Sequence, residues 1–320
     1  MPTPSPLRIA IIGVGAIGGL YGARLLQAGH HVSFVARGAT LAALRRDGLF
    51  IESIDGDLHL PSVTVTDDPA TIGEVDVVLV AVKATQIESI APSLRPLLGR
   101  QTAVVPTQNG VEASAQLAAA LGDAHVLEGL CRVIVEQSGP GRIRHFAVSP
   151  IIEYGPRSRT PADAPARVQI EPFRAALESA GIKAIVAEKM DVALWEKFLF
   201  IEPFGLVGAA TRVALGHMRA VPETRALISR CLAEVQAVSV AAGVPLSDAA
   251  IAETWKRYDG LPMESTSSMQ RDIVAGRLTE YDAQTGSLIR LAQQYGVPVP
   301  AHQVLHAALL PMVNGAPRLG

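Results

Sequence analysis

Three features of the sequence predict an α/β fold. An apolar run at residues 7–12 (LRIAII) feeds directly into the glycine turn GVGAIG at residues 13–18, and the helix-like AIGGLYGARLLQAG runs on from it. Strand-like and helix-like segments then alternate through the first half of the chain, and beyond residue 187 no convincing strand follows. The predicted architecture is an N-terminal Rossmann-type doubly wound sheet over residues 1–188, followed by an all-helical C-terminal domain over residues 189–320.

The glycine turn is the first element to justify. Glycines are needed where the chain turns sharply, where backbone approaches a pyrophosphate and where helix packs closely on strand, and the free N–H groups of the helix start can hold phosphate oxygens. Gly13, Gly15, Ala16, Ile17 and Gly18 are therefore candidate dinucleotide-binding residues. The next strand, residues 31–36 (HVSFVA), ends in Arg37 and Gly38, where an NAD site usually carries an acidic residue for the ribose 2'-hydroxyl. A guanidinium there suits a 2'-phosphate, which predicts NADP(H) over NAD(H).

Parallel crossover units continue with a strand at 75–82, a helix at about 85–98 and a strand at 102–106. Between them, alternating runs around Asp55-Gly56 read as a β-hairpin insertion, and a second β-rich stretch covers 124–154 with its turn at SGPG, residues 138–141. A helix at 168–180 stops at Gly181 and leads into a last strand at 182–187. Helices are expected near 192–200, 222–242, 248–258, 268–275, 280–295 and 301–312.

Composition narrows the function. A chain of 320 residues accommodates two domains, and a net charge of -2 without a basic block excludes nucleic acid or an anionic membrane surface as the expected partner. The longest apolar stretch, residues 77–82, is far below the roughly 20 residues that span a bilayer, and the start MPTPSP lacks a basic region leading into a signal core. A cytoplasmic protein with a small-molecule partner is expected, and a homodimer stays open. Cys131 and Cys231 have no metal or redox spacing and are expected to be buried and reduced.

Reducing a carbonyl requires a proton donor and stabilisation of the charge growing on oxygen. Lys197 in MDVALWEKFLF has Leu194, Phe198 and Ile201 at helical spacing, so it belongs on or beside a mostly buried face. Further on, Ser267 with Gln270 and Thr279 with Asp282 form two candidate capping boxes separated by the breaker Gly276. Amides near Ser268 would suit a substrate carboxylate, and Glu280 in the second first turn could hold a lysine ammonium.

In order along the chain, GVGAIG, Arg37, VKATQ with Lys83 and Gln86, QNG with Asn109, WEK with Lys197, SSM with Ser268 and GRLTEYD with Glu280 make the sequence resemble the ketopantoate reductase (2-dehydropantoate 2-reductase) family. The resemblance implies NADPH-dependent reduction of a 2-oxo acid to its 2-hydroxy acid, 2-dehydropantoate to pantoate in pantothenate biosynthesis, in a cleft between the two domains. It casts Lys197 as general acid, Glu280 as its supporting carboxylate, Ser268 and Asn109 as substrate contacts, and Asn109 and Lys83 as cofactor neighbours. No metal is called for: His302 and His306 have i,i+4 spacing but no evident third ligand.

The sequence also departs from the family pattern. Ile201 and Gly205 replace asparagines that usually follow the lysine at four-residue steps, and Thr285 stands where an asparagine is common. Ile201 and Gly205 favour as an alternative a D-2-hydroxy acid dehydrogenase for a bulkier, more apolar 2-oxo acid, or a non-catalytic nucleotide-binding protein. Glu202 and Pro203 are unexpected so near the lysine, and the carboxylate is assigned to solvent.

Overall fold

The computed structural model describes residues 5–315; Met1–Pro4 of the MPTPSP start, and the last residues of the expected helical domain, lie outside them. The chain divides into two units. One runs through Gln108 and resumes from Ala113 to Met190; the other takes Asn109–Glu112 and the chain from Asp191 onward.

In the first unit the strands are, in chain order, β1 Arg8–Ile12, β2 His31–Val35, β3 Leu49–Ser53, β4 Leu58–Leu60, β5 Thr64–Thr66, β6 Val75–Val80, β7 Leu98–Pro106, β8 Leu127–Gly139, β9 Arg142–Pro156 and β10 Lys183–Val186. Its helices are α1 Ala16–Gln27, α2 Gly38–Asp47, α3 Ile87–Ile90, α4 Ala113–Leu121 and α5 Ile170–Ser179. A parallel sheet has the order β5-β2-β1-β6-β7, so the chain leaves β1 in one direction and returns to its other side at β6. That reversal places the glycine turn at the carboxyl end of β1, the ligand-binding position of such sheets.

Alternation along the strands explains the near-continuous apolar runs. Ile9, Ile11, Val77 and Leu79 face one core, whereas Ala10, Ile12, Val78 and Val80 face another. The first core is shared with α1, α5 and a second sheet of order β10-β9-β3-β4, in which β8 pairs antiparallel with β9. The expected hairpin around Asp55-Gly56 is the antiparallel β3–β4 pair, but β5 leaves it to join β2 in the parallel sheet. The helix expected at 85–98 is instead a 3-10 turn at Ala84–Gln86, α3, and a 3-10 segment at Ala91–Leu97. Pro92 and Pro96 carry no N–H for a continuous α ladder.

The second unit consists of α6 Met190–Thr211, α7 Leu215–Ala220, α8 Pro222–Ala241, α9 Asp248–Gly260, α10 Ser268–Ala275, α11 Ser287–Tyr295 and α12 Pro300–Val313 around one apolar core. Helix α6 runs well past the expected end at residue 200, through Pro203. A proline leaves carbonyls of the preceding turn without their usual donors, and here the buried Tyr258 hydroxyl donates to the Phe200 carbonyl at 2.5 Å. The helix expected at 280–295 begins as a π-helical segment, Asp282–Gly286, before α11. Glu280 therefore precedes the helix rather than lying inside its first turn, and the second capping box does not form: the Thr279 hydroxyl is buried without a hydrogen-bond partner.

Glu202 does not face solvent. It is fully buried, its Oε2 lies 2.8 Å from His302 Nε2, and its Oε1 accepts from the Thr285 hydroxyl at 2.7 Å. On the other side of the ring, His302 Nδ1 lies 2.5 Å from Glu234 Oε2, and Glu234 also accepts from the amides of Ala301 at 2.8 Å and His302 at 3.0 Å. An imidazolium thus bridges two carboxylates and joins α6, α8, α12 and the π segment. Burial alone would push the His302 pKa down, but the charge and hydrogen bond of Glu202, reinforced by Glu234, hold it up at about 9. Burial opposes ionisation of Glu234 as well, yet its bonds from His302 and the two amides keep its carboxyl below the usual range. The other groups that feel Glu202 are Cys231, Tyr258 and Tyr281, all pushed up by burial and so neutral through this range.

Because the folded His302 pKa of about 9 exceeds the unfolded value of 6.5, its contribution is complete below pH 6.5 and is lost as pH rises through 9. The expected loss is about 3 kcal/mol across that window. Urea midpoints at stepped pH should fall accordingly, and His302→Gln should flatten that limb while lowering stability at pH 6.5.

Candidate active site

Each glycine of the turn meets a different steric demand. Gly13 has φ +95°, and a Cβ there would sit 2.8 Å from Val82 Cγ1. At Gly18 a Cβ would lie 2.0 Å from the Gly13 carbonyl oxygen, so only hydrogen lets α1 close on the strand end. Gly15 has nothing within 4 Å of the Cβ position, which leaves open space over the start of α1. Helix α1 has no side-chain cap and no acidic residue in its first turn. An open glycine cradle at an uncapped helix start fits a pyrophosphate, the group the motif is built to hold.

Arg37 lies just past the carboxyl end of β2, extended at φ -133° and exposed, as the residue before α2. Lys83, also exposed, follows β6 and opens the 3-10 turn, its amide donating to Gln86 Oε1 at 3.2 Å. These residues and the cradle all belong to the first unit.

Lys197 is half-buried on α6, between the buried Leu194 and Phe198 and the half-buried Ile201. Asn109, 171 residues before Glu280, belongs to the same unit, and its amide donates to Glu280 Oε2 at 3.2 Å. The pairing is enforced from behind. Gly110, at φ +103°, packs so closely on the π segment that a Cβ would lie 2.3 Å from the Ala283 carbonyl oxygen. Arg290 donates to Glu112 Oε2 at 2.7 Å and to Asp282 Oδ1 at 2.8 Å, clipping the two stretches together.

Ser267 caps α10 by accepting from the Gln270 amide at 3.0 Å, as expected. The reciprocal half of that capping box is missing: Gln270 turns its Nε2 to the Val213 carbonyl at 2.9 Å, and its Oε1, the atom that would accept from the Ser267 amide, is buried without a hydrogen-bond partner. Ser268 is the first residue of α10 and is exposed. Gly205 brings α6 against this helix start: a Cβ there would fall 2.6 Å from Met269 Cε and 3.1 Å from Ser267 Oγ. An asparagine could not enter without displacing Met269.

The second unit therefore joins Asn109 with Glu280, and the start of α10 with the Lys197 helix. Sequence reasoning missed the Arg290 clip and the partners of Glu202, since these bonds span 178 and 100 residues and leave no local pattern. His306, the other half of the i,i+4 histidine pair, stacks on Tyr281 and lies 3.0 Å from its hydroxyl. Cys131 and Cys231 are buried, and neither is joined in a disulfide. Among the described residues no helix is long and apolar enough to cross a membrane.

Comparison with known proteins covers both units. Residues 9–159 match the family model described as Ketopantoate reductase PanE/ApbA, and residues 189–312 match that of its C terminal. A 2-dehydropantoate 2-reductase of Nostoc sp. is 29% identical over 313 residues, which cover 98% of this chain and 97% of that one. One from Mycobacterium tuberculosis is 30% identical over 312 residues, covering 96% and 98%. A solved PanE/ApbA family ketopantoate reductase from Ralstonia eutropha JMP134 superposes with a TM-score of 0.84 at 29% identity, over 96% of this chain and 98% of that one. D-mandelate dehydrogenase, solved with NADH and anilino(oxo)acetate, shares the fold at a TM-score of 0.85 and 19% identity, over 96% and 98%.

The glycine geometry separates stability from binding. Gly18→Ala should cost about 2 kcal/mol of unfolding free energy by urea titration. Gly15→Ala should cost less than about 1 kcal/mol, yet weaken dinucleotide binding roughly tenfold or more in calorimetric titration, because its methyl fills the cradle.

Proposed function

The chain belongs to the ketopantoate reductase PanE/ApbA family, and on that premise we propose that it reduces a 2-oxo acid to the 2-hydroxy acid with NADPH. The first substrate to assign is 2-dehydropantoate, giving pantoate for pantothenate biosynthesis. The observation that carries the reading is the Asn109–Glu280 hydrogen bond, which joins two distant candidate site residues in the unit that bears Lys197.

The first unit supplies the dinucleotide site through Gly13, Gly15 and Gly18, with Arg37 for the 2'-phosphate and Lys83 beside the cofactor. Bound there, the reduced nicotinamide supplies hydride to the carbonyl carbon. Lys197 first stabilises the charge on the carbonyl oxygen and then gives it a proton from Nζ. Glu280, oriented by Asn109, supports that ammonium, and Asn109 also contacts cofactor and substrate. Ser268 and the α10 amides receive the substrate carboxylate.

A second reading keeps the reaction and changes the acid. Ile201 offers no hydrogen bond, and at Gly205 the Met269 methyl occupies the space a side chain would need. A pocket without a partner for the ketopantoate hydroxyl discriminates poorly in favour of it, which suits a bulkier, more apolar 2-oxo acid and a D-2-hydroxy acid dehydrogenase activity.

A panel of 2-oxo acids with NADPH, followed at the nicotinamide absorbance, tests both readings. Turnover on ketopantoate matching the best apolar acids removes the second; silence on the whole panel removes both. Lys197→Met should lose roughly 100-fold or more in kcat with the fold retained, and near-normal kcat would remove the acid assignment. Arg37→Ala should raise the KM for NADPH about tenfold while moving that for NADH less than about twofold; equal losses would contradict a 2'-phosphate role.

A further inference from the structure

Lys197 and Glu202 are five residues apart on α6, and Glu280 and Thr285 are five residues apart on the segment that leads into α11. Glu202 and Thr285 are bonded to each other at 2.7 Å with both side chains buried. We propose that this pair positions the proposed acid and its carboxylate, by fixing the register of the Lys197 helix against the Glu280 segment, while His302 and Glu234 hold the Glu202 carboxylate in place. The inference rests on the reading of Lys197 and Glu280 given above.

The pair acts where both backbones specify themselves least. Pro203 interrupts the α6 ladder at the residue next to Glu202, and Asp282–Gly286 is a π turn, a geometry that survives only with outside support. If that turn relaxed to α geometry, the residues before it would rotate by about 100° about the axis, the angle one residue occupies on an α-helix. Glu280 would then swing away from Asn109. Glu202 cannot act on Lys197 by direct contact along one stripe, because five helical positions place the two about 140° apart around α6. It acts through the segment it grips.

A packing role alone does not account for the choice of groups. Two carboxylates and an imidazolium are costly to bury, and well-packed apolar side chains often stabilise a core as well or better. A hydrogen bond adds direction, which apolar contacts lack. Cys231 on α8, Tyr258 on α9 and Tyr281 beside the π segment face the same carboxylate as neutral groups, so the ionic fixing of Glu202 falls to His302.

Thr285→Val keeps shape and removes the donor, and Thr285→Ser restores it. With NADPH and the best 2-oxo acid of the panel, Thr285→Val should lower kcat roughly tenfold and leave the KM for NADPH within about twofold, and Thr285→Ser should return kcat to within about threefold of the parent. A kcat for Thr285→Val within twofold of the parent, or a loss that serine does not rescue, would overturn the proposal. Should the valine variant not fold, Thr285→Ala is read the same way. A second arm needs no turnover: acetylation of each lysine, followed by peptide mass spectrometry, should show the Lys197 rate changed about threefold or more in Thr285→Val, with Lys83 and Lys256 unchanged. An unaltered Lys197 rate also overturns the pairing, whereas a parent protein that reduces no 2-oxo acid refutes only the function and leaves this arm to decide.

Discussion

Most of the helical unit can be traced to one ring that water does not reach. His302 lies between Glu202 and Glu234 at hydrogen-bond distance from both. Removing any one member leaves an uncompensated charge in an apolar surround, which is why such clusters tolerate loss poorly even when their assembly is nearly neutral in free energy. Four elements are constrained at once, each supplying one partner, and the Tyr258 bond to the Phe200 carbonyl lets α6 pass through Pro203 without ending. Helix α6 is consequently long enough to carry Lys197 in its first half and the contact with α10 further along.

The first unit obeys a different and more local logic. Its parallel strands are buried on both faces, so alternating residues of β1 and β6 serve two cores and the sequence reads as almost unbroken apolar runs. Turn chemistry is equally local. Gly13 and Gly18 are fixed by atoms within the same strand–turn–helix unit and the adjoining β6 end, and Gly141, at φ +68°, turns the β8–β9 hairpin where SGPG announced it. These features were legible in the sequence because each depends on neighbours a few residues away or on a repeat of period two.

Other features were hidden because their causes lie far off in the chain. A proline beside a glutamate reads locally as a helix end and a solvated charge; only Tyr258 and His302, from α9 and α12, make it a helix interior and a buried anion. The segment after Thr279 reads as an ordinary helix start, and its π turn is visible only once Thr285 meets Glu202 and Asp282 meets Arg290. At the candidate site, the ordered motifs named Asn109 and Glu280 individually, while the bond between them and the Arg290–Glu112 clip required the fold. Individual residue types were thus readable, but their partners were not.

The departures from the family pattern make physical sense taken together. Lys197, Ile201 and Gly205 fall within about 80° of one another around α6, so two expected polar positions are lost from the stripe that carries the lysine. Glu202, unexpected so near the lysine, and Thr285, where an asparagine is common, meet each other inside the core instead. Amides along the lysine stripe could have oriented substrate and helix together; here the stripe is left apolar, with Met269 packed on Gly205, and orientation of the helix passes to a buried bond that no substrate needs to touch. On the proposed reading of Lys197 and Glu280, such a separation would let the apolar stripe vary with the acid reduced while a buried bond fixes the register between them.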